Sequence, residues 1–212
     1  MAVNNKTGTI TRSEQKQQTR QKLLEATMEV IASEGLSGVT MAKVAEQAGL
    51  SRGISNFHFQ SKEQLLLETL RSIYQEFDKS WRNIVADDSR LPAEKLKAII
   101  ETTLMPPIAR KKKLAVWLAF WGEASSRKTY LEICAAHDLE WDAAVEDILQ
   151  KMIGDDFNFR GMGLEKIAQS LTAMMDGFWV EYLISEDRFT PRDAINACFA
   201  YLTSFFPEFE NA

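Results

Sequence analysis

A chain of 212 residues, 45% hydrophobic and 26% charged, is long enough to bury one large core or a small core beside a larger one. Its longest apolar run, 114–121, is far too short to cross a bilayer, and the polar opening MAVNNKTGTITRSEQKQQ has no apolar stretch of the kind a secretory signal needs. Two cysteines, Cys134 and Cys198, make no disulfide framework and point to the reducing cytoplasm. The formal net charge of −5, taken alone, argues against a nucleic-acid partner, but it is unevenly spread. Residues 1–65 hold eight Lys/Arg against six Asp/Glu, whereas 66–212 hold 17 against 24. A mildly basic head on an acidic body fits a protein that meets phosphate only with its head.

In chain order, residues 1–15 read as a basic, flexible arm. Leu23, Leu24, Ala26, Thr27, Val30 and Ile31 then recur at the helical period, which predicts a helix over 15–33 closed by the glycines of EGLSG. Thr40 is placed to cap a second helix, MAKVAEQA, with Val44, Ala45 and Ala48 on its apolar side. Gly49 supplies the positive-φ position of a tight turn, and Leu50 is expected to plug the core behind it. Ser51 caps a short helix reaching about residue 58, and Ser61 with Gln64 forms a capping box for a long helix over about 61–86. Beyond residue 92 the spacing predicts helices over 93–104, 108–126, 128–152, 164–185 and 191–205, broken at MPP, GDDFNFRGMG and SEDRFTP. No period-two pattern intervenes, so the fold class is all-α.

The stretch GLSRGISNFHFQSK (49–62) puts small and hydrogen-bonding residues where a buried helix would carry leucine. Two helices joined by a tight glycine turn, the second short and polar, make a helix-turn-helix, whose second helix enters the major groove. Gly53 would let the backbone approach DNA closely, and Arg52, Ser55, Asn56 and His58 supply groups for base edges and phosphates. Thr40, Ser51 and Ser61 mark helix N-termini suited to phosphate, and Lys62 adds a charge beside the last of them.

Residues 40–66, TMAKVAEQAGLSRGISNFHFQSKEQLL, resemble the DNA-binding signature of the TetR family of bacterial repressors. The likeness is strong over about 16–80. It implies a homodimer with an N-terminal three-helix helix-turn-helix domain (16–62) and a C-terminal helical ligand-binding and dimerisation domain (63–212). It also implies that Thr40, Lys43, Arg52, Gly53, Asn56, Phe57, His58 and Lys62 face operator DNA. The family usually has tyrosine where this chain has Asn56, and often leucine where it has Ser55. Periodicity by itself groups Leu50, Ile54 and Phe57 on one stripe and turns Phe57 inward, whereas the family places that position near phosphate. The choice of Ser55 or Phe57 as the outward side chain is open at this level.

In the acidic body, Trp117, Phe120 and Trp121 stand at i, i+3 and i+4 of one predicted helix, and Phe178, Trp179 and Tyr182 accompany Asp176 and Glu181 on another. Such stripes serve as core, as a dimer surface, or as an aromatic cage for a quaternary ammonium balanced by a carboxylate. The cage reading takes Trp117, Phe120, Trp121, Asp176 and Trp179 as ligand-binding residues, and it gains from the resemblance of WLAFW and DGFWVEYLISEDRFTPRDAINACFAYL to the choline-responsive BetI-type subgroup. That resemblance implies repression of choline and glycine betaine genes, relieved by choline; the alternative is a TetR-family regulator of other genes with a different hydrophobic or cationic effector. Apolar faces at Leu164, Ile167, Leu171, Met174 and Phe178, then Ile195, Cys198, Phe199, Leu202 and Phe205, could build a four-helix dimer interface, with Gly177 permitting close approach.

An enzyme is the rival class. The two histidines, His58 and His137, sit in no nucleophile signature, and no phosphate-loop or dinucleotide fingerprint is present. CAAH (134–137) with Asp138 offers too few ligands for a zinc site. No metal or cofactor is expected, and the chain is placed in the cytoplasm at the nucleoid.

Overall fold

The computed structural model describes residues 11–153, 157–185, 188, 190–207 and 209. Among these the chain forms nine helices and no strand, divided between two compact units, Met1–Thr69 and Leu70–Ala212.

In the first unit, α1 (Arg12–Gly38) starts at a capping box. Thr11 Oγ1 accepts from the Glu14 amide (3.2 Å) and Glu14 Oε2 accepts from the Thr11 amide (2.7 Å). This pair satisfies the first free amides, so residues 12–15, expected in a flexible arm, are helical. Residues 1–10 of that arm lie outside the described residues. Gly35 (φ 73°, ψ 177°) breaks the helix at the expected EGLSG, and a further turn tucks Leu36 and Val39 into the core.

α2 (Met41–Gln47) is capped by Thr40 Oγ1, which accepts from the Lys43 amide at 3.1 Å. It ends in a Schellman turn. Gly49 stands at φ 66°, its amide reaches the Glu46 carbonyl (3.0 Å), and the Leu50 amide reaches that of Ala45 (2.8 Å). Leu50 is half-buried, a looser plug than expected. α3 (Arg52–His58) follows at once, capped by Ser51. At the head of α4 (Lys62–Val85), Ser61 Oγ accepts from the Gln64 amide (3.1 Å), but Gln64 Oε1 reaches back one residue past the predicted box, to the Gln60 amide (2.7 Å). Leu23, Leu24, Val30, Ile31, Val44, Ala45, Phe59, Leu65 and Leu66 meet between these helices, none more than 3% exposed.

In the second unit, the rest of α4 is joined by α5 (Pro92–Leu104), α6 (Lys111–Ala124), α7 (Lys128–Ile153), α8 (Leu164–Ile184) and α9 (Pro191–Thr203). Proline opens α5 and α9, where its missing amide and fixed φ suit the first turn, and Thr190 with Asp193 adds a capping box to α9. α6 starts three residues later than predicted because buried Ile108 anchors a separate turn, closed by the Arg110 amide on the Ile108 carbonyl (2.9 Å). α7 packs against α5, α6 and α8, while α9 packs against α5 and α8.

That packing corrects one expectation. Leu164, Ile167, Leu171, Ile195, Cys198 and Leu202, assigned from the sequence to a face for a second copy, are buried in this unit's own core. Met174, Phe178, Phe199 and Phe205 remain half-buried. No helix of the described residues is long and apolar enough to cross a membrane.

Candidate functional site

Two places gather the residues singled out above, one in each unit. In the first, α3 is short and held by its ends. Ser51 Oγ accepts from the Ile54 amide (3.4 Å), and Phe59, fully buried, closes the last turn. Between these anchors Arg52, Gly53 and Asn56 are exposed, and Phe57 is 73% exposed. Ser55 is fully buried and leaves the candidate set. With less than two turns, α3 has one inward position per turn, and Ser55 and Phe59 occupy it. The predicted Leu50–Ile54–Phe57 stripe is likewise not the buried one, since Ile54 is 39% exposed.

The remaining candidates are tied into their own unit to different degrees. Lys43 pairs with Glu34, and Lys62 Nζ reaches the Ser37 carbonyl at 3.5 Å. The Thr40 and Ser51 hydroxyls act as caps. His58 is half-buried, and its imidazole is held below its ordinary pKa by burial and then by the charges of Lys16 and Arg20. Gly53 has an ordinary helical backbone, and a Cβ there would meet only Ser51 Oγ at 3.8 Å. Packing therefore does not require glycine at this position.

The second place is a narrow cavity of about 30 Å³ in the larger unit. Tyr74 and Phe77 of α4, Thr103 of α5, Trp117 and Trp121 of α6, His137, Asp138 and Trp141 of α7, and Thr172, Met175, Asp176 and Trp179 of α8 line it. Trp117 stacks on Trp179 with centroids 4.9 Å apart, and Trp121 lies parallel beyond, 6.1 Å from Trp179. Tyr74 meets Trp117 edge-on at 5.8 Å and stacks on His137 at 4.2 Å.

Hydrogen bonds lock the rings. Trp179 Nε1 donates to the Thr103 carbonyl (3.1 Å), Trp121 Nε1 to Tyr74 Oη (3.3 Å) and Trp141 Nε1 to Thr172 Oγ1 (2.9 Å), whose hydroxyl lies 2.9 Å from Asp142 Oδ1. The Trp117 indole N–H is buried without a partner. No lysine or arginine lines the cavity, and His137 faces Asp78, with Nδ1 to Oδ2 at 2.8 Å.

Carboxylates supply the cavity's charge. Burial pushes Asp176 up to about 7, helped by the negative charges of Asp138 and Asp142. Asp138, exposed as a residue but with a place on the wall, is raised to about 6 by loss of water around its carboxyl and by Asp142. Burial also drives the Tyr74 phenol well above its usual range, so it stays protonated.

Four of the five residues proposed from the sequence, Trp117, Trp121, Asp176 and Trp179, thus share one wall. Phe120 does not join them. It points the other way, fully buried and edge-on to Tyr130 at 5.2 Å, because α6 is covered on both sides. Tyr74, Trp141 and Thr172 escaped sequence reading, and Asp138 was weighed there only as a metal ligand, since they stand on helices whose facing only the packing sets. Among the described residues no group of three His, Cys, Asp or Glu could hold a metal ion, and Cys134 and Cys198 are buried and free.

An exposed recognition helix in a helix-turn-helix, in a chain whose other unit forms helices and no strand among the described residues, defines a DNA-binding regulator of transcription. Residues 23–69 match the family described as bacterial regulatory proteins, tetR family, and residues 92–207 match the C-terminal region of BetI-type transcriptional repressors. The chain belongs to the TetR family of transcriptional regulators, with a BetI-type C-terminal part, and that family consists of regulators rather than enzymes. The HTH-type transcriptional regulator BetI of Pseudomonas paraeruginosa is 27% identical over 187 residues, spanning 86% of this chain and 90% of that protein. A solved transcriptional regulator from Pseudomonas aeruginosa PAO1 is 25% identical with a TM-score of 0.78, covering 92% of this chain and 94% of that one. A regulator from Saccharomonospora viridis, solved in complex with choline, shares the fold at 21% identity and a TM-score of 0.73, over 88% of this chain and 96% of that one.

Proposed function

We propose that this regulator is a homodimeric repressor of choline and glycine betaine genes, released from its operator when a choline-like quaternary ammonium enters the aromatic cavity. The observation that carries the reading is the cavity's composition: Tyr74, Trp117, Trp121 and Trp179 line it with aromatic rings, Asp176 and Asp138 supply negative charge, and no lysine or arginine stands on its wall. Ring faces attract an alkylated ammonium, which a hydrogen-bonding site serves poorly. The likeness to BetI-type repressors and to a choline-bound structure of the same fold supports the choice of ligand.

On the DNA side, Arg52, Asn56 and Phe57 meet the major groove with Gly53 at closest approach, while Thr40, Lys43, Ser51, His58 and Lys62 flank them toward the backbone. The needless glycine at 53 supports this, because an exposed helix gains stability from any other small residue. In the dimer, α8 and α9 of two copies pack through positions that this chain leaves exposed or only half-buried, Gly177 and Phe199 among them. Such a pair presents its recognition helices to half-sites about one DNA turn apart, roughly 34–36 Å.

At about 30 Å³ the cavity holds a water or two, so the effector selects a state in which the rings have parted. α4 is the element through which this reaches the DNA-binding unit, since Leu65 and Leu66 belong to one core while Tyr74 and Phe77 line the cavity. Calorimetric titration with choline, betaine aldehyde and glycine betaine, with and without operator duplex, tests the scheme. Choline heat that weakens in the presence of operator, by the factor by which choline weakens operator binding, is expected. Absence of heat from all three ligands refutes the choline assignment.

A further inference from the structure

No candidate DNA contact named from the sequence lies on α1, yet α1 borders the recognition helix. Lys16 and Arg20 stand four residues apart and so share a face. Lys16 Nζ lies over the ring of Phe57, 5.7 Å from its centroid, and the Arg20 guanidinium lies over Phe59 at 5.2 Å. Their surroundings differ in one respect. Arg20 is neutralised by Glu68, Nη2 to Oε2 at 2.7 Å, as Lys43 is by Glu34. Lys16 is exposed, and no carboxylate among the described residues pairs with it.

The ring beneath Lys16 is itself out of place for a solvated surface. Phe57 is 73% exposed, its edge set against His58 at 5.4 Å, on the helix that carries Arg52, Gly53 and Asn56. A ring face that holds an ammonium in place orients an otherwise floppy side chain. His58 is held below its ordinary pKa first by burial and then by the charges of Lys16 and Arg20, which agrees with their position beside this edge of α3.

We infer that Lys16 of α1, steadied by the face of Phe57, is a phosphate contact of the DNA interface, outside the helix-turn-helix itself. The inference rests on the DNA-binding reading of α3. A phosphate contact adds affinity without regard to sequence and makes it depend on salt, whereas a lysine merely resting its stem on an aromatic ring does neither.

The test measures binding of the full-length protein to two duplexes across a range of salt, one selected by affinity from a random pool and one unrelated. Lys16→Gln is expected to flatten the slope of log K against log salt by about 0.9 per protomer, weakening both duplexes about eightfold per protomer near 0.1 M salt. Lys16→Arg should restore both. In a Phe57→Ala background, where nothing holds the ammonium, Lys16→Gln should have a smaller effect. Wild-type slope and affinity in Lys16→Gln would overturn the inference and leave the recognition-helix assignment standing. An equal effect in the two backgrounds would overturn the role of the ring. Failure of the wild-type protein to bind any duplex would remove the DNA-binding reading and the inference together.

Discussion

The indole of Trp117 lies on that of Trp179, planes 25° from parallel and centroids 4.9 Å apart, joining α6 to α8 across the middle of the larger unit. In the proposed scheme, an entering cation must separate this pair or slide beside it. The cost of breaking this contact and the gain from a cation against the freed faces are of similar size, about 0.5–2 kcal/mol. A modest ligand can therefore tip the balance.

Trp121 is the member of the proposed cage easiest to remove without collapsing the core, since it is half-buried while Trp117 and Trp179 are at most 3% exposed. Trp121→Leu should weaken choline binding about 5- to 30-fold, the worth of one cation–π face. It should cost under about 2 kcal/mol of stability. Calorimetry and thermal unfolding of the same preparation separate the two effects. Trp179→Ala also forfeits the bond to Thr103 and a large buried volume, so a loss of about 3–5 kcal/mol is expected there.

Acid should weaken the effector. Choline keeps its charge at every pH, so any change reports the protein. With Asp176 titrating near 7, ionisation rises from about one-tenth at pH 6 to about nine-tenths at pH 8, and affinity should rise nearly tenfold with it. Asp176→Asn should bind weakly and flatten that profile. Stability of the unliganded protein moves oppositely. The folded pKa of Asp176 lies above its ordinary 3.8, so the stabilisation is complete below about pH 4 and is lost as pH rises through about 7.

Gly53→Ala should separate folding from binding. The site tolerates a Cβ, so helix α3 should gain about 0.5–1 kcal/mol, while DNA binding falls as the methyl holds the backbone away. Gly49→Ala, at φ 66°, should instead cost about 1–2 kcal/mol of stability. Denaturant unfolding beside a gel shift distinguishes the two variants.

Arg52→Ala should leave the melting temperature unchanged, because the side chain is exposed. It should lose about 1–3 kcal/mol on the selected duplex and little on an unrelated one, relaxing preference at one base pair. An equal loss on both duplexes would make Arg52 a phosphate contact instead.

Sedimentation at micromolar concentration should give a dimer of the 24.1 kDa chain. Gly177→Trp, at a position with nothing within 4 Å of a built Cβ, should shift it toward monomer and lower operator affinity without unfolding the chain. A wild-type monomer would end the proposal of a paired operator site.

The ordering of the helices could be read in advance because their ends are written locally. Thr40, Ser51 and Ser61 each satisfy an amide three residues ahead, and Gly35 and Gly49 take backbone angles that few other residues adopt. Neighbours in the chain suffice for such choices, which is why the all-α class and the break points were legible. Rotation of a helix about its own axis was not. A seven-residue helix such as α3 is too short for its period to say which side is buried, so Ser55 went inward and Phe57 outward only when α1, α2 and α4 closed around it. In the same way Phe120 turned to Tyr130 while Tyr74, Trp141 and Asp138 joined Trp117 and Asp176, since the facing of four long helices is a property of their joint packing. Residue type and spacing determined what each helix could offer; the tertiary structure decided which offers meet, because burial is shared among segments that the linear order keeps apart.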